Sequence, residues 1–367
     1  MKRREFIVTG AAGIIGTGVA GCSTVKVRQS SAPMSFDLKV PRPAGTMPMG
    51  EIGKTGIRVS KFGFGSHMRN DIIKYVKERE WMVREAYDLG VNFFDVYDRE
   101  QGCYQYEPMG QYLKDVMGNV VISISLYPDD GRSVEEELER DLRLFGRDHI
   151  DLVRIHAWTK DMSHPFQQDH RWEWWDTLFR FKEKGSIRAV GVPIHRVSEA
   201  ELVLKEYPLD FVIFPFNYYH NWSWYAMEKM AGNYGNYDGF IQQLRDRGIG
   251  VITMKPLAGD SLVTPFKELG KTFDPTGEVN VAKASLRYVI NSGMSIDTTL
   301  TGMYYPYQLY ENIDAFFNPV MSDVERRVLK KIRDRAKIVA KNFLPEHYRF
   351  LEEWVPEAPW DDTDLFG

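Results

Sequence analysis

Two side chains suited to proton transfer lie at the ends of two apolar runs in this chain. Asp95 lies near the end of Gly90–Val96, and His156 ends the run Ile150–His156. A carboxylate can hold a proton donor in place, and an imidazole can orient or protonate a carbonyl oxygen, so the pair suits general acid–base chemistry. Both stand where a strand would give way to a loop, which is where barrels of parallel strands build their active sites.

Histidines also follow or end other apolar runs of the sequence. His67 follows the first run, His156 ends the fourth and His195 follows the fifth. Imidazoles that converge on a carboxylate are typical metal ligands, so one hypothesis is a metal-dependent lyase or hydrolase that uses these three residues. The other interpretation makes His156 an acid–base residue and the remaining two ordinary polar loop residues. We assign no metal ligand from the sequence.

The elements that position these residues are eight apolar runs of strand length, separated from one another by helical patterns. Most runs are nearly continuous in apolar residues, which is typical of parallel strands covered on both faces. Eight alternations of strand and helix predict a (β/α)8 TIM barrel, with an open doubly wound sheet as the alternative. The predicted strands are Lys61–Gly65, Val91–Val96, Val120–Leu126, Ile150–His156, Ile187–Ile194, Phe211–Phe216, Gly250–Leu257 and Ile296–Met303.

Further elements flank the barrel, which is expected over residues 48–320. A short N-terminal β-hairpin is predicted over Met49–Ser60. An extra C-terminal helix is expected from Ser322 to about Asn342, followed by a tail, within residues 321–367. Three capping boxes, in which a glutamate follows a serine by three positions, predict helix starts at Ser133, Ser198 and Ser322.

The first 22 residues have the layout of an export signal. Arg3 and Arg4 precede an uncharged run, as in twin-arginine signals. The run ends Val19-Ala-Gly-Cys22, which resembles the acylation site of bacterial lipoproteins. We therefore expect an exported, periplasmic protein that is held on the membrane by a lipid on Cys22, with the outer membrane favoured. Residues 23–47 would form the tether.

Composition limits the classes of partner. The 47 basic and 51 acidic residues give a net charge of −4 without a basic face, so nucleic acid is not an expected partner. The chain has two cysteines, and acylation of Cys22 would leave Cys103 without an intrachain disulfide. A competing interpretation takes Thr9–Gly16 as a dinucleotide-binding turn, but the glycines that follow disfavour the helix that such a turn must open.

Six short sequence segments, taken in order, resemble the motifs of a known family. They lie at Gly53–Ser60, Gly90–Asp95, Asp151–His156, Lys184–Gly191, Gly248–Leu257 and Gln308–Asn312. On these segments the chain resembles the aldo-keto reductase superfamily from Gly50 to Phe317. The resemblance implies a barrel that binds a nicotinamide nucleotide, NADP or NAD, and acts on a small carbonyl or sugar-like substrate. It also implies a catalytic tetrad of Asp, Tyr, Lys and His.

Two members of that tetrad have matching residues, Asp95 and His156. In the family a buried lysine, held by the aspartate, lowers the pKa of the tyrosine that protonates the carbonyl oxygen. Ser125 stands at the lysine position and Glu100 at the tyrosine position. The resemblance therefore implies a degenerate tetrad, with Asp95, Glu100 and His156 as candidate catalytic residues and Glu100 taking over proton transfer. The alternative donors are the phenols of Tyr97, Tyr104 and Tyr106.

The resemblance also implies where the nucleotide lies. The candidate cofactor-binding residues are Lys255, Pro256, Leu257, Gly302, Gln308, Glu311 and Asn312. At the nicotinamide end the family's polar and aromatic contacts are replaced by Pro193, Ile194, Ile213 and Met254. At the adenosine end Tyr304 and Tyr305 replace residues that favour a 2′-phosphate. The expected function is that of an oxidoreductase, and the alternative is a non-catalytic barrel whose aromatic loops hold a ligand.

Overall fold

Eight parallel strands close into a barrel in the computed structural model, which describes residues 38, 40–66, 76–97, 106–126, 133–155, 172–194, 197–218, 237–258, 262–263 and 279–332. The last strand pairs with both the preceding strand and the first barrel strand, so the closed sheet has no free edge. Two further strands form an antiparallel hairpin ahead of the barrel. The strands are β1 Met49–Glu51, β2 Arg58–Ser60, β3 Phe62–Gly65, β4 Phe93–Tyr97, β5 Val121–Leu126, β6 Ile150–Ile155, β7 Ile187–Pro193, β8 Phe211–Pro215, β9 Gly250–Met254 and β10 Thr298–Gly302.

Helices cover the outside of the barrel. The larger apolar cluster packs outward strand residues such as Phe94 and Ile122 against buried helix residues such as Val83 and Leu138. Within the described ranges every helix is too short or too polar to cross a membrane. The helices are α1 Val76–Asp88, α2 Tyr106–Tyr112, α3 Val134–Phe145, α4 Trp172–Glu183, α5 Val197–Glu206, α6 Tyr237–Asp246, α7 Val281–Ile290, α8 Pro306–Phe317 and α9 at residues 323–332.

The hairpin plugs the end of the barrel where the strands begin. Ile52, Ile57 and Val59 join inward strand residues in a separate interior apolar cluster. Backbone N–H groups of the hairpin donate to residues that precede β9 and β10, namely from Lys54 to the carbonyl oxygen of Gly248 and from Gly53 to the carboxylate of Asp297. Because this end is filled, a ligand can enter the barrel only from the end where the strands finish.

Two of the predicted capping boxes are confirmed. Ser133 Oγ accepts from the backbone N–H of Glu136 at 3.2 Å, and the Glu136 carboxylate accepts from the backbone N–H of Ser133 at 2.9 Å. Ser322 and Glu325 repeat this pattern at the start of α9. The third prediction is wrong, because α5 begins one residue before Ser198. A cap requires a residue with non-helical backbone, and Ser198 already lies in the first turn.

The predicted fold class is confirmed. All eight predicted strands form the barrel, and the hairpin precedes them. Strand ends differ by a few residues; β4 starts at Phe93 rather than Val91, because Gly90, at a positive φ of 90°, still turns the chain out of α1. The predicted signal, most of the tether and the tail beyond residue 332 lie outside the described residues.

Candidate active site

A buried cluster of three polar side chains lies inside the barrel, on β4, β5 and β6. Arg154 donates from Nη1 to Asp95 Oδ1 at 2.5 Å and from Nη2 to Asp95 Oδ2 at 2.9 Å. Ser123 donates from Oγ to Asp95 Oδ1 at 2.7 Å and accepts from Arg154 Nη1 at 2.7 Å. Both carboxylate oxygens are therefore bound to one guanidinium, in the two-pronged geometry that gives strong arginine–carboxylate pairs.

Burial decides how much this pair matters. Arg154 and Ser123 are fully buried, and Asp95 is 2% exposed. Removing two ions from water costs several kcal/mol each, and attraction offsets that cost only when geometry and hydrogen bonding are good, as they are for Asp95 and Arg154. Loss of either partner would leave an uncompensated charge inside the barrel. The two residues therefore act as one unit.

Strand alternation explains why these side chains meet. Phe93 on β4 and Leu152 on β6 belong to the interior apolar cluster. Because side chains two positions apart share a face of a strand, Asp95 and Arg154 also face the interior, one layer nearer the open end. The register of β4 with β5 sets Asp95 beside Ser123. The cluster forms the floor of the open end, directly above the apolar plug.

Arg154 was not among the residues predicted from the sequence. A signal for it exists, because it interrupts the apolar run of β6, two positions before His156 and so on the same face. Arginine is almost never fully buried unless it is paired. An arginine within a predicted barrel strand therefore predicts an interior acid, and Asp95 is that acid.

Ser125, the residue at the family's lysine position, is buried next to this cluster. The register aligns Ser125 with Tyr97 on one side and with Arg154 on the other. Neighbouring strands are about 4.8 Å apart, so a side chain at position 125 lies beside Arg154. The small serine leaves the room that the long arginine needs.

The other predicted catalytic residues, Glu100 and His156, lie outside the described residues. The same is true of His67 and His195, on which the metal hypothesis also depends. In the described part of the chain, no group of three or more His, Cys, Asp or Glu side chains is placed to hold a metal ion. Of the predicted catalytic set, the structure therefore locates Asp95.

A strained turn follows β9 at the open end of the barrel. Lys255 and Ala258 have positive φ angles of 55° and 52°, and such conformations cost a non-glycine residue about 1–3 kcal/mol each. Asn217, buried just after β8, donates from Nδ2 to the carbonyl oxygen of Lys255 at 2.9 Å. The backbone N–H of Ala258 donates to the same oxygen at 2.9 Å. The predicted cofactor residues Lys255, Pro256 and Leu257 thus share one rigid turn.

A second group of predicted cofactor residues lies where β10 leads into α8. Gly302 ends β10. Gln308 Oε1 accepts hydrogen bonds from the backbone N–H groups of Tyr304 at 2.7 Å and Tyr305 at 3.0 Å, so it fixes the start of α8. Tyr305 and Tyr307 stack with ring centroids 5.8 Å apart, and both are 40% exposed. Their faces form an exposed aromatic surface at the open end.

The last two predicted cofactor residues lie one turn further along α8. Asn312 is buried, and Glu311 is half-buried. Burial raises the pKa of the Glu311 carboxyl, and a hydrogen bond from Asn280 acts in the opposite direction. Asn280 also caps α7, because its Oδ1 accepts from the backbone N–H of Lys283 at 3.0 Å. Glu311 is therefore held close to the start of α7.

The residues that replace the nicotinamide contacts do not all face the same way, because Ile194 belongs to the larger, outer apolar cluster. Pro193 at the end of β7 aligns with Ile213 on β8. Ile213 and Met254 belong to the interior cluster and are almost fully buried. These two side chains make this side of the barrel interior apolar, and the polar side chain of Asn217 lies just after β8.

A second buried cation lies at the open end, between β3 and β10. Arg79 of α1 donates to the carbonyl oxygens of Gly65 and Met303 at 3.3 Å each, and its guanidinium lies 4.5 Å from the ring centre of Phe64. Burial lowers the pKa of Arg79 to about 10, which keeps it charged at neutral pH. Among the described residues no carboxylate pairs with it. It therefore adds a positive charge to this side of the open end.

Comparison with known proteins agrees with this geometry. The family model described as Aldo/keto reductase family matches residues 73–333. The chain is similar to an L-galactose dehydrogenase of Arabidopsis thaliana, 23% identical over 301 residues, which cover 72% of this chain and 86% of that protein. It is also similar to a protein of Arabidopsis thaliana named "Probable voltage-gated potassium channel subunit beta", 23% identical over 336 residues, which cover 81% and 98%. The solved holo form of aldo-keto reductase AKR11C1 from Bacillus halodurans shares the fold, with a TM-score of 0.59, 18% identity and coverage of 83% and 99%.

Proposed function

This chain belongs to the aldo/keto reductase family, and we propose that it is an oxidoreductase acting on a small carbonyl or sugar-like substrate with a nicotinamide nucleotide. The observation that carries the proposal is the Asp95 carboxylate, held on the floor of the open end by Arg154. Buried charges are costly, and sites where a protein retains them are often functional. A barrel that needed only a core would place apolar residues at both positions.

A sugar-like substrate is supported by the relatives. The L-galactose dehydrogenase aligns over 72% of this chain and 86% of its own length. A polyol or sugar needs hydrogen-bonding groups together with an aromatic or apolar surface. The exposed tyrosines 305 and 307 offer an aromatic surface of this kind at the same end of the barrel.

The residues present fit a nicotinamide nucleotide best at its adenosine half. The turn Lys255–Ala258 and the start of α8 are both held rigid by hydrogen bonds, and the buried Arg79 adds positive charge. When bound, the nucleotide would supply or accept the hydride. Pro193, Ile213 and Met254 would pack against its ring without gripping an amide. We therefore expect the adenosine half to supply most of the affinity for NADP or NAD.

We assign proton transfer to residues that follow the strands of the floor in sequence, and not to the floor itself. Both Asp95 oxygens are engaged by Arg154 and Ser123, so Asp95 positions its neighbours and does not exchange protons with a substrate. Glu100 is proposed as the proton donor or acceptor, and His156 as the residue that orients the carbonyl oxygen.

A non-catalytic ligand-binding barrel is the second candidate. The observation that favours it is Ser125, a neutral residue at the position where the family has its lysine. The relative named as a potassium channel subunit aligns over 98% of its own length. In this alternative the open end binds a ligand or partner without turnover.

We further propose that the protein is exported by the twin-arginine route and anchored in the periplasm by a lipid on Cys22, with the outer membrane favoured. Arg3, Arg4 and the sequence Val19–Cys22 support this. Twin-arginine export carries folded cargo, so a nucleotide would be loaded before export. An exported oxidoreductase with a tightly held nucleotide is the combination we expect.

Nucleotide titration separates the two candidate functions. Fluorescence of the purified protein is followed with NADPH, NADH and ADP-ribose, and turnover is followed at 340 nm with DL-glyceraldehyde as carbonyl or L-galactose as alcohol. We expect similar affinities for the three nucleotides and measurable turnover of one probe. Absence of both binding and turnover at about 1 mM of each compound, the upper end of ordinary KM values, would reject the oxidoreductase and leave the non-catalytic barrel.

A further inference from the structure

We propose that Arg154 is the positioning residue that supplies the positive charge on the barrel floor. The cation of this site then lies on β6, whereas the family's lysine position, here Ser125, lies on β5. This role deepens the proposed function, and its catalytic part rests on that function. The charge acts through Asp95, whose two oxygens it binds at 2.5 and 2.9 Å.

Among the described residues of the floor, one cation faces one carboxylate. Asp95 binds Arg154, and Ser123 hydrogen-bonds to both. All three residues are almost completely buried. A second cation in this space would share Asp95 with Arg154 among the described carboxylates, and the two cations would repel each other.

Position 125 is where an alternative cation would fit. Ser125 aligns with Arg154 across the β5–β6 register, and both residues are buried. A lysine at 125 and an arginine at 154 would bring an ammonium and a guanidinium to adjacent strands, about 4.8 Å apart at the backbone. The two cations are therefore alternatives. With arginine at 154, a small neutral residue at 125 is what the floor requires.

The nature of the cation changes how the site responds to pH. A guanidinium holds its proton more strongly than a lysine amine does. The charge next to Asp95 therefore responds less to pH with arginine than it would with lysine, and it favours any negative charge that develops on the bound carbonyl oxygen or on the proton donor. Arg154 has no proton to give, so proton transfer falls to other residues of the open end.

A matched control pair exists at the opposite end of the barrel. Arg245 donates from Nη1 and Nη2 to the two carboxylate oxygens of Asp297 at 3.0 and 2.7 Å. Asp297 also accepts from the backbone of Val251 at the start of β9. Substituting Arg245 breaks the same kind of ion pair far from the open end. A change in activity that occurs with Arg154 and not with Arg245 is therefore not a consequence of lower stability alone.

The test compares the full chain with Arg154→Leu, Ser125→Lys, the double variant that carries both changes, and Arg245→Leu. Melting temperature at pH 7 is measured for each. The pH dependence of kcat is measured from pH 5 to 10 for reduction of DL-glyceraldehyde with NADPH or NADH.

Arg154→Leu should lower the melting temperature by roughly 5–10 °C and kcat on the order of 100-fold. Ser125→Lys should also melt lower, because it crowds two cations around Asp95. The double variant should recover most of the melting temperature and activity, with activity falling off at a lower alkaline pH because lysine titrates. Arg245→Leu should melt lower with an unchanged pH profile.

A double variant that melts no higher than Arg154→Leu would overturn the proposal, because the two positions would not then share one cation. The proposal would also be overturned if the double variant recovered its melting temperature while Arg154→Leu alone kept native activity. The ion pair would then contribute to stability and not to catalysis. If the native protein reduces no probe, the proposed function fails, and the melting comparison still decides whether position 125 and position 154 hold the same charge.

Discussion

The substitution Asp95→Asn is expected to lower the free energy of unfolding by about 3–5 kcal/mol. It keeps the shape of the side chain and removes its charge, so the fully buried guanidinium of Arg154 loses its counter-ion. With charge centres about 4 Å apart, an effective dielectric constant of about 20 gives an attraction of about 4 kcal/mol. The amide introduced at position 95 would still accept one hydrogen bond, which places the expected cost nearer the lower end of the range.

The companion substitution Arg154→Met and the double variant complete a cycle. Replacing both ions by neutral side chains removes the desolvation cost of each, so the double variant should be more stable than either single variant. We expect a coupling energy of about 2 kcal/mol or more. Urea unfolding at pH 7 with tryptophan fluorescence measures the four free energies, provided that the slopes agree. A coupling below about 0.5 kcal/mol, as in exposed pairs, would refute the assignment of Asp95 and Arg154 as one buried unit.

Three further predictions concern other parts of the chain. Burial acts to raise the pKa of Glu325, but hydrogen bonds from the Ser322 backbone and from Arg287 lower it on balance; its stabilising effect is present above about pH 4.5 and is lost as pH falls. Glu325→Gln should therefore lower the melting temperature more at pH 7 than at pH 3. Tyr304→Arg should raise the affinity for NADPH over NADH about 10-fold, because arginine binds phosphate well. Replacing Arg3 and Arg4 by lysine should leave the precursor in the cytoplasm, as shown by cell fractionation.

Each of these has a contrary outcome. An equal loss of melting temperature at pH 3 and pH 7 would mean that the charge of Glu325 contributes nothing. Unchanged selectivity in Tyr304→Arg, with Tyr307→Arg as the matched control, would place the ribose elsewhere. Normal processing and export of the lysine variant would remove the twin-arginine assignment.

The order of the barrel elements was determined by the sequence. Nearly continuous apolar runs such as Phe211–Phe216 predict parallel strands from local composition, and every predicted run corresponds to a strand of the barrel. The glycine that ends a helix and the serine that starts one are local signals, since Gly146 adopts a positive φ of 63° and Ser133 forms its capping box. Such features require only neighbours a few residues away.

The candidate site was predicted in part. Asp95 and the residues near Lys255 and Gln308 followed from short phrases of the sequence, and they lie at the same end of the barrel. The hydrogen bonds that these residues make could not be predicted from the sequence. Gln308 hydrogen-bonds the backbone at the start of its own helix, and the strained backbone of Lys255 is held by Asn217, just after the preceding strand.

The partner of Asp95 was decided by the tertiary structure. Arg154 lies 59 residues away along the chain, on a strand two places round the barrel. Its inward direction follows from strand alternation, which the sequence contains. Its guanidinium reaches Asp95 because the register of the barrel aligns the strands and because the residues between them, Ser123 and Ser125, have small side chains. Local pattern determines which face a side chain takes, whereas the pairing of buried charges depends on the closure of the barrel, because only closure brings distant strands within hydrogen-bonding distance.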